Sequence, residues 1–238
     1  MVGIGPGDPL DRTRRAEQAI ADSQVVVGYT RYLDLVKDIT AGKELVSSGM
    51  TRETERCRAA LDRAEQGCIV ALISSGDAGI YGMAGLALEM AANESRSVPI
   101  EIVPGVTSAT AAAAKLGAPL MLDFACISLS DLLVPWDVVR KRLEAVAGAD
   151  LTAVLYNPRS RKRVSQLDEA AAIFRSHRPG TTPVGIGTAV GTGDESIVIS
   201  DLDHFLGCEI TMRSIVVIGN TTAKVLNGCL ITPRGYRV

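Results

Sequence analysis

Six clusters of glycine and small polar residues hold most of the chemistry open to this chain. They are Gly3-Ile4-Gly5-Pro6-Gly7-Asp8, Ser74-Ser75-Gly76-Asp77-Ala78-Gly79-Ile80-Tyr81, Pro104-Gly105-Val106-Thr107-Ser108, Ile127-Ser128-Leu129-Ser130-Asp131, Leu155-Tyr156-Asn157-Pro158-Arg159-Ser160 and Thr232-Pro233-Arg234-Gly235-Tyr236. Most follow a short apolar run, which places them on loops at strand ends, where ligand sites of open α/β folds gather. The first loop lets backbone approach a ligand closely. It is not a dinucleotide loop: the spacing is GxGxG with a proline inside, and Gly28-Tyr29 stands where a ribose-binding acid would end the second strand. No Gly-Lys-Ser/Thr follows, which excludes a P-loop.

Asp77 at a strand end accepts from an amine or a ribose hydroxyl, or else caps the next helix. Thr107 and Ser108 open a helix whose first N–H groups lack intrahelical partners, so they cap it or meet a ligand. Ser128 and Ser130 share a face at period two. The basic run Arg159-Ser160-Arg161-Lys162-Arg163 is either a solvated helix start or the rim of a site for a polyanion, because guanidinium pairs bidentately with carboxylate. Trp136 is read as either core packing or part of the site.

The elements that must position these loops alternate between β-branched runs and helical patterns. Strands are expected over 1–5, 25–29, 68–73 and 98–103, with helices over 13–21, 51–66, 84–93 and 107–115. The 51–66 helix opens on a Thr-Arg-Glu-Thr sequence suited to capping. The rhythm breaks near Gly117-Ala118-Pro119, so domains are expected over 1–118 and 119–238. The second half reads as strands over 124–129, 151–155, 184–188, 195–199 and 214–218, with helices over 135–146 and 163–174. Late strands without intervening helices imply a mixed sheet, and the chain reads as two α/β lobes with a cleft between them.

Composition narrows the chemistry. A net charge of −2 over 238 residues points to no nucleic-acid or membrane-surface partner. No apolar stretch reaches membrane-spanning length. The chain enters a strand at once, so no signal peptide and a cytoplasmic location are expected. Five scattered cysteines without a CxxC pair read as buried thiols in a reducing compartment. Two histidines argue against a zinc cluster or a serine–histidine triad, so no metal is expected.

Together the clusters resemble the tetrapyrrole (corrin/porphyrin) methyltransferase family of the cobalamin pathway, over essentially the whole chain. Gly28-Tyr29 with Tyr32, Ser48-Gly49-Met50, Ser74 to Met83, Asp123-Phe124, Ser128 to Leu133, Tyr156-Asn157-Pro158 and Thr232 to Tyr236 carry the likeness. Gly76-Asp77-Ala78, where sister enzymes usually have Gly-Asp-Pro, points to the branch acting at C17. The resemblance implies two α/β domains with mixed sheets, a homodimer, and S-adenosylmethionine in the interdomain cleft. Carried over by position, cofactor contacts are Pro6, Ser75, Gly76, Asp77, Ile80, Thr107, Ser108, Tyr156, Asn157 and Val190. The tetrapyrrole is expected to meet Gly5, Pro6, Gly7, Ser128, Ser130, Arg159 and Arg163. The implied reaction is methylation at C17 of the macrocycle with a ring contraction that extrudes C20; action at another ring carbon is the alternative. Leu122 stands where family members often have histidine, and Val134 where many have threonine. The proton-transfer group therefore stays open, with Asp123, Ser130 and Asp131 as candidates.

Overall fold

Valine-rich runs without polar alternation are stable as strands covered on both faces. In the computed structural model, which describes residues 1–160 and 163–237, two such strands, β2 (Val25–Tyr29) and β4 (Val70–Ser74), form the centre of a parallel sheet between the short β1 (Val2–Gly3) and the polar edge strand β3 (Glu44–Ser48), in the order β1-β4-β2-β3. Helices α1 (Arg14–Asp22), α2 (Thr30–Asp34), α3 (Glu53–Glu65) and α4 (Ala84–Asn93) belong to the same unit. Val26 packs with Ala16 and Ile20 of α1. Its neighbours Val25 and Val27 pack on the other face, with Cys57, Ala60 and Leu61 of α3.

Thr13 caps α1, its hydroxyl accepting the Ala16 N–H at 3.0 Å. Two expectations need correction here. The strand over 98–103 reduces to one bridge, Val103 to Val2, before which the Glu101 carbonyl accepts from the Met1 amino group at 2.8 Å. The helix over 51–66 starts at Glu53 without a side-chain cap. Thr51 adopts a φ of 65° and donates its hydroxyl to the Met50 carbonyl instead.

The second unit is built on a mixed sheet, as its late strands implied. Its elements are α5 (Ser108–Leu116), β5 (Gly117–Ala118), β6 (Phe124–Ser128), α6 (Trp136–Gly148), β7 (Thr152–Tyr156), α7 (Ser165–His177), β8 (Pro183–Thr188), β9 (Ser196–Asp201), β10 (Ser214–Ile218), β11 (Lys224–Leu226) and β12 (Cys229–Ile231). Five strands run in the order β6-β7-β10-β8-β9, and β6 with β7 is the parallel pair among them. A small sheet β11-β12-β5, absent from the sequence reading, closes on an Asn227-Gly228 turn with φ of 50° and 77°. Leu143, Leu167, Phe174 and Phe205 fill one core. Trp136 packs against it and donates its indole N–H to Glu169.

The compact units are Met1–Ser108 and Ala109–Val238, against a junction expected at 118/119. Packing of α5 explains the difference. A Cβ on Gly185 would meet Leu116 at 2.5 Å, and one on Gly187 would meet Ala112 at 3.0 Å. Two glycines on one face of β8 thus admit the alanine-rich helix, which packs within the second unit.

Candidate active site

In the first unit, parallel pairing sets the carboxyl ends of β1 and β4 beside Val103, so three of the glycine clusters meet. Gly5 and Gly76 exchange two main-chain hydrogen bonds, of 3.1 and 2.7 Å. Gly3 donates to the Val103 carbonyl at 2.9 Å. The loops interlock closely: a Cβ on Gly105 would stand 2.2 Å from the Gly76 oxygen and 2.7 Å from the Gly3 carbonyl. Asp77 ties the node together. Its Oδ1 accepts the Gly79 N–H at 2.8 Å and its Oδ2 the Gly105 N–H at 3.0 Å. Half-buried Ser75, Thr107 and Ser108 flank this node, and a Cβ on Gly76 would lie 3.7 Å from Ser108 Oγ. Ile80 leaves apolar surface exposed, and Pro6 and Gly7 are half-buried on the first loop.

In the second unit, the parallel pair β6–β7 sets Ser128 opposite Tyr156. Ser128 Oγ accepts from Asn157 Nδ2 at 3.0 Å and from the Ser130 N–H at 3.2 Å. Arg163 donates to the Asn157 carbonyl at 2.7 Å and reaches Ser130 Oγ at 3.5 Å. Arg159 pairs with Asp168 at 3.1 Å. Among the described residues, the Nε of each arginine is buried without a hydrogen-bond partner. Arg161 and Lys162 of the basic run lie outside the described residues. The buried Tyr156 hydroxyl accepts the Ala109 N–H of α5 at 3.0 Å. Val190 is buried on the turn after β8.

Not every candidate joins these groups. Asp123 precedes β6 and Ser128 ends it, so five extended residues separate them by roughly 16 Å. Asp131 is exposed and accepts from Gln166 at 2.8 Å. Thr232 is an internal anchor: its hydroxyl donates to the Pro119 carbonyl at 2.7 Å. Three supporting residues escaped the sequence reading. Arg56, buried in α3, donates to Ser48 Oγ and the Gly49 carbonyl at 2.8 Å each. Glu195 accepts the Gly191 N–H at 2.8 Å and pairs with Lys115 at 3.0 Å. The Gly191 N–H and then Lys115 hold its carboxyl below the usual range. The contacts of Arg56 with Ser48 and Gly49 and of Lys115 with Glu195 have no local pattern to announce them, because each joins two different segments.

The fold and these loops define a class, and comparison with known proteins agrees with it. The family model for tetrapyrrole (corrin/porphyrin) methylases matches residues 1–205. The chain belongs to this family. It is 46% identical to a probable cobalt-factor III C(17)-methyltransferase of Salmonella typhimurium, over 99% of this chain and 98% of that one. It is 37% identical to a precorrin-3B C(17)-methyltransferase of a Sinorhizobium species, over 99% and 96%. Among solved structures, the methyltransferase CobJ superposes with a TM-score of 0.89 at 33% identity, covering 98% of each chain.

Proposed function

We propose that this chain transfers a methyl group from S-adenosylmethionine to C17 of precorrin-3B or of its cobalt-bearing counterpart, cobalt-factor III, with contraction of the macrocycle, in cobalamin biosynthesis. The observation that carries the reading is the end-to-end match to C17 methyltransferases, at 46% identity with the Salmonella enzyme. The alternative of another ring carbon is less well supported: the cobalt precorrin-4 methyltransferase CbiF superposes with a TM-score of 0.72 at only 26% identity, against 46% and 37% with the two relatives named for C17. Identity is higher to the cobalt-factor III enzyme than to the precorrin-3B enzyme, which favours the cobalt-bearing substrate.

The residues fit a donor that is part apolar and part polar. Half-buried Ser75, Thr107 and Ser108 supply hydroxyls, Ser108 Oγ lies 3.7 Å from where a Cβ on Gly76 would stand, and Ile80 offers an apolar surface. Bound there, S-adenosylmethionine supplies a methyl carbon already made electrophilic by its sulfonium charge. The chain's task is then alignment and exclusion of water, and alignment is worth roughly 7–11 kcal/mol in favourable cases. Donor contacts are assigned to Pro6, Ser75, Gly76, Asp77, Ile80, Thr107 and Ser108 in the first unit, and to Tyr156, Asn157 and Val190 in the second. Gly5, Pro6, Gly7, Ser128, Ser130, Arg159 and Arg163 are assigned to the acid-rich macrocycle. The orphaned Nε groups of the two arginines suit its carboxylates. Ser130 is the candidate for proton movement that sits among these groups.

Purified protein given precorrin-3B or cobalt-factor III with carbon-13-methyl donor tests the reading. Labelled methyl at C17 by NMR is the expected product; label at another ring carbon, or none with either substrate, rejects it. A cytoplasmic homodimer belongs to the same proposal. No helix among the described residues is long and apolar enough to cross a membrane. Met121, Leu122 and Phe124 leave an apolar strip exposed, suited to a second copy. Sedimentation equilibrium showing a monomer at micromolar concentration would remove the dimer.

A further inference from the structure

We propose that Lys115 and Glu195 are positioning residues: they hold the turn that carries Val190 and thereby set the affinity of the second unit for the methyl donor, an inference that rests on the function proposed above. Neither residue belongs to the contacts assigned there. The turn is conformationally costly. Ala189 has a φ of 51° and Gly191 one of 77°, and a non-glycine residue in that region persists only where its surroundings over-determine it.

The restraints are visible. Glu195 Oε2 accepts the Gly191 N–H at 2.8 Å, while its Oε1 lies 3.0 Å from Lys115 Nζ in the last turn of α5. Ala189 donates to the Arg213 carbonyl at 2.9 Å, and the Thr192 hydroxyl donates back to the Ala189 carbonyl at 2.8 Å. Helix α5 touches the turn a second time. The site of a Cβ on Gly187 lies 2.9 Å from Val190 Cγ2 and 3.0 Å from the Ala112 Cβ, so helix and turn meet over that glycine. The first turn of α5 meanwhile holds Tyr156, through the Ala109 N–H at 3.0 Å, next to Asn157 in its own left-handed conformation. One helix thus steadies both segments of this unit assigned to the donor: Tyr156-Asn157 through its first turn, and Val190 through its last.

The exposure of the pair separates positioning from general stability. Lys115 is 49% exposed and Glu195 25%, and half-open ion pairs add little to global stability. Loss of the carboxylate should therefore act on the turn more than on the fold.

Calorimetry with S-adenosylhomocysteine as the probe, thermal melting, and hydrogen exchange of peptide 189–192 in ligand-free protein test this on Glu195→Ala, Glu195→Gln and Lys115→Met. Glu195→Ala is expected to weaken binding by roughly three- to tenfold, the net size of one ordinary hydrogen bond. It should also raise the KM for the donor more than it lowers kcat, and speed exchange of the turn. Glu195→Gln keeps an oxygen for the Gly191 N–H and should recover most of the affinity. Unchanged affinity in Glu195→Ala overturns the proposal. So does a loss of affinity that only tracks a fall in melting temperature and is not recovered by Glu195→Gln. If the unaltered protein fails to bind the probe, the donor reading falls and this inference loses its ligand. Exchange in ligand-free protein judges the latch separately: an unchanged rate in Glu195→Ala overturns it whatever the ligand.

Discussion

Both oxygens of Asp77 accept main-chain N–H groups, from Gly79 and from Gly105, so this side chain acts on the loops as well as on any ligand. Asp77→Ala should leave two amides unpaired, lowering stability by roughly 1–3 kcal/mol in urea titrations. It should also weaken S-adenosylhomocysteine binding in calorimetry; unchanged affinity would show that neither the carboxylate nor the loops it ties matter to the donor. Gly105 meets a harsher constraint. The 2.2 Å approach of its missing Cβ to the Gly76 oxygen involves backbone on both sides, which cannot rotate away. Gly105→Ala is expected to destabilise by roughly 1–3 kcal/mol or more. A melting temperature equal to that of the unaltered protein would mean that the three loops are more loosely joined than their geometry says.

At the scale of elements, a buried arginine ties down the end of a strand pair where the ladder stops, since β10 pairs with β7 only as far as Ile218 opposite Ala153. Arg178 donates to the carbonyls of Gly219 at 2.5 Å and Leu151 at 2.7 Å, beside β10 and β7, and its guanidinium lies 4.8 Å from the Phe174 ring centroid. Burial pulls its pKa down, and nearby Asp150 partly offsets this. Arg178→Met keeps bulk but leaves those carbonyls without their donor, so a loss of about 3 kcal/mol is expected. Urea titration checks it, and a loss under 0.5 kcal/mol, the usual range for surface changes, would show that water replaces the guanidinium. In the first unit the buried Arg12 instead meets a side chain, bonding both oxygens of Asp38. The Arg12 guanidinium holds the Asp38 carboxyl below its ordinary range. A carboxyl lowered by folding stabilises above its unfolded pKa and stops doing so as pH falls through its folded value. Asp38→Asn should therefore lower stability at neutral pH and narrow the gap to the unaltered protein below about pH 4. A gap that stays constant with pH would show that the pair adds nothing beyond neutral hydrogen bonds.

At the scale of the whole molecule, the local patterns were legible where chain-local physics decides. Apolar runs without alternation located β2, β4, β7 and β10, and helical periodicity located α4 residue for residue. The glycine and hydroxyl clusters were legible as loops at strand ends because their residue types are unusual in themselves. The Asn227-Gly228 hairpin is equally local, since that dipeptide favours such turns. What the chain could not announce alone were contacts between distant segments. The pairing of Gly5 with Gly76, the meeting of Ser128 with Asn157, and the Lys115–Glu195 pair each span 29 or more residues. The separation of Asp123 from Ser130 and the packing of α5 within the second unit belong with them. The sequence by itself determined which segments are strands, helices and polar loops, and the family they resemble, because propensity and periodicity act within a few residues. Only the tertiary structure decided which loops meet and which carboxylate serves backbone rather than solvent, because that depends on strand order and close packing, and neither is written in any single segment.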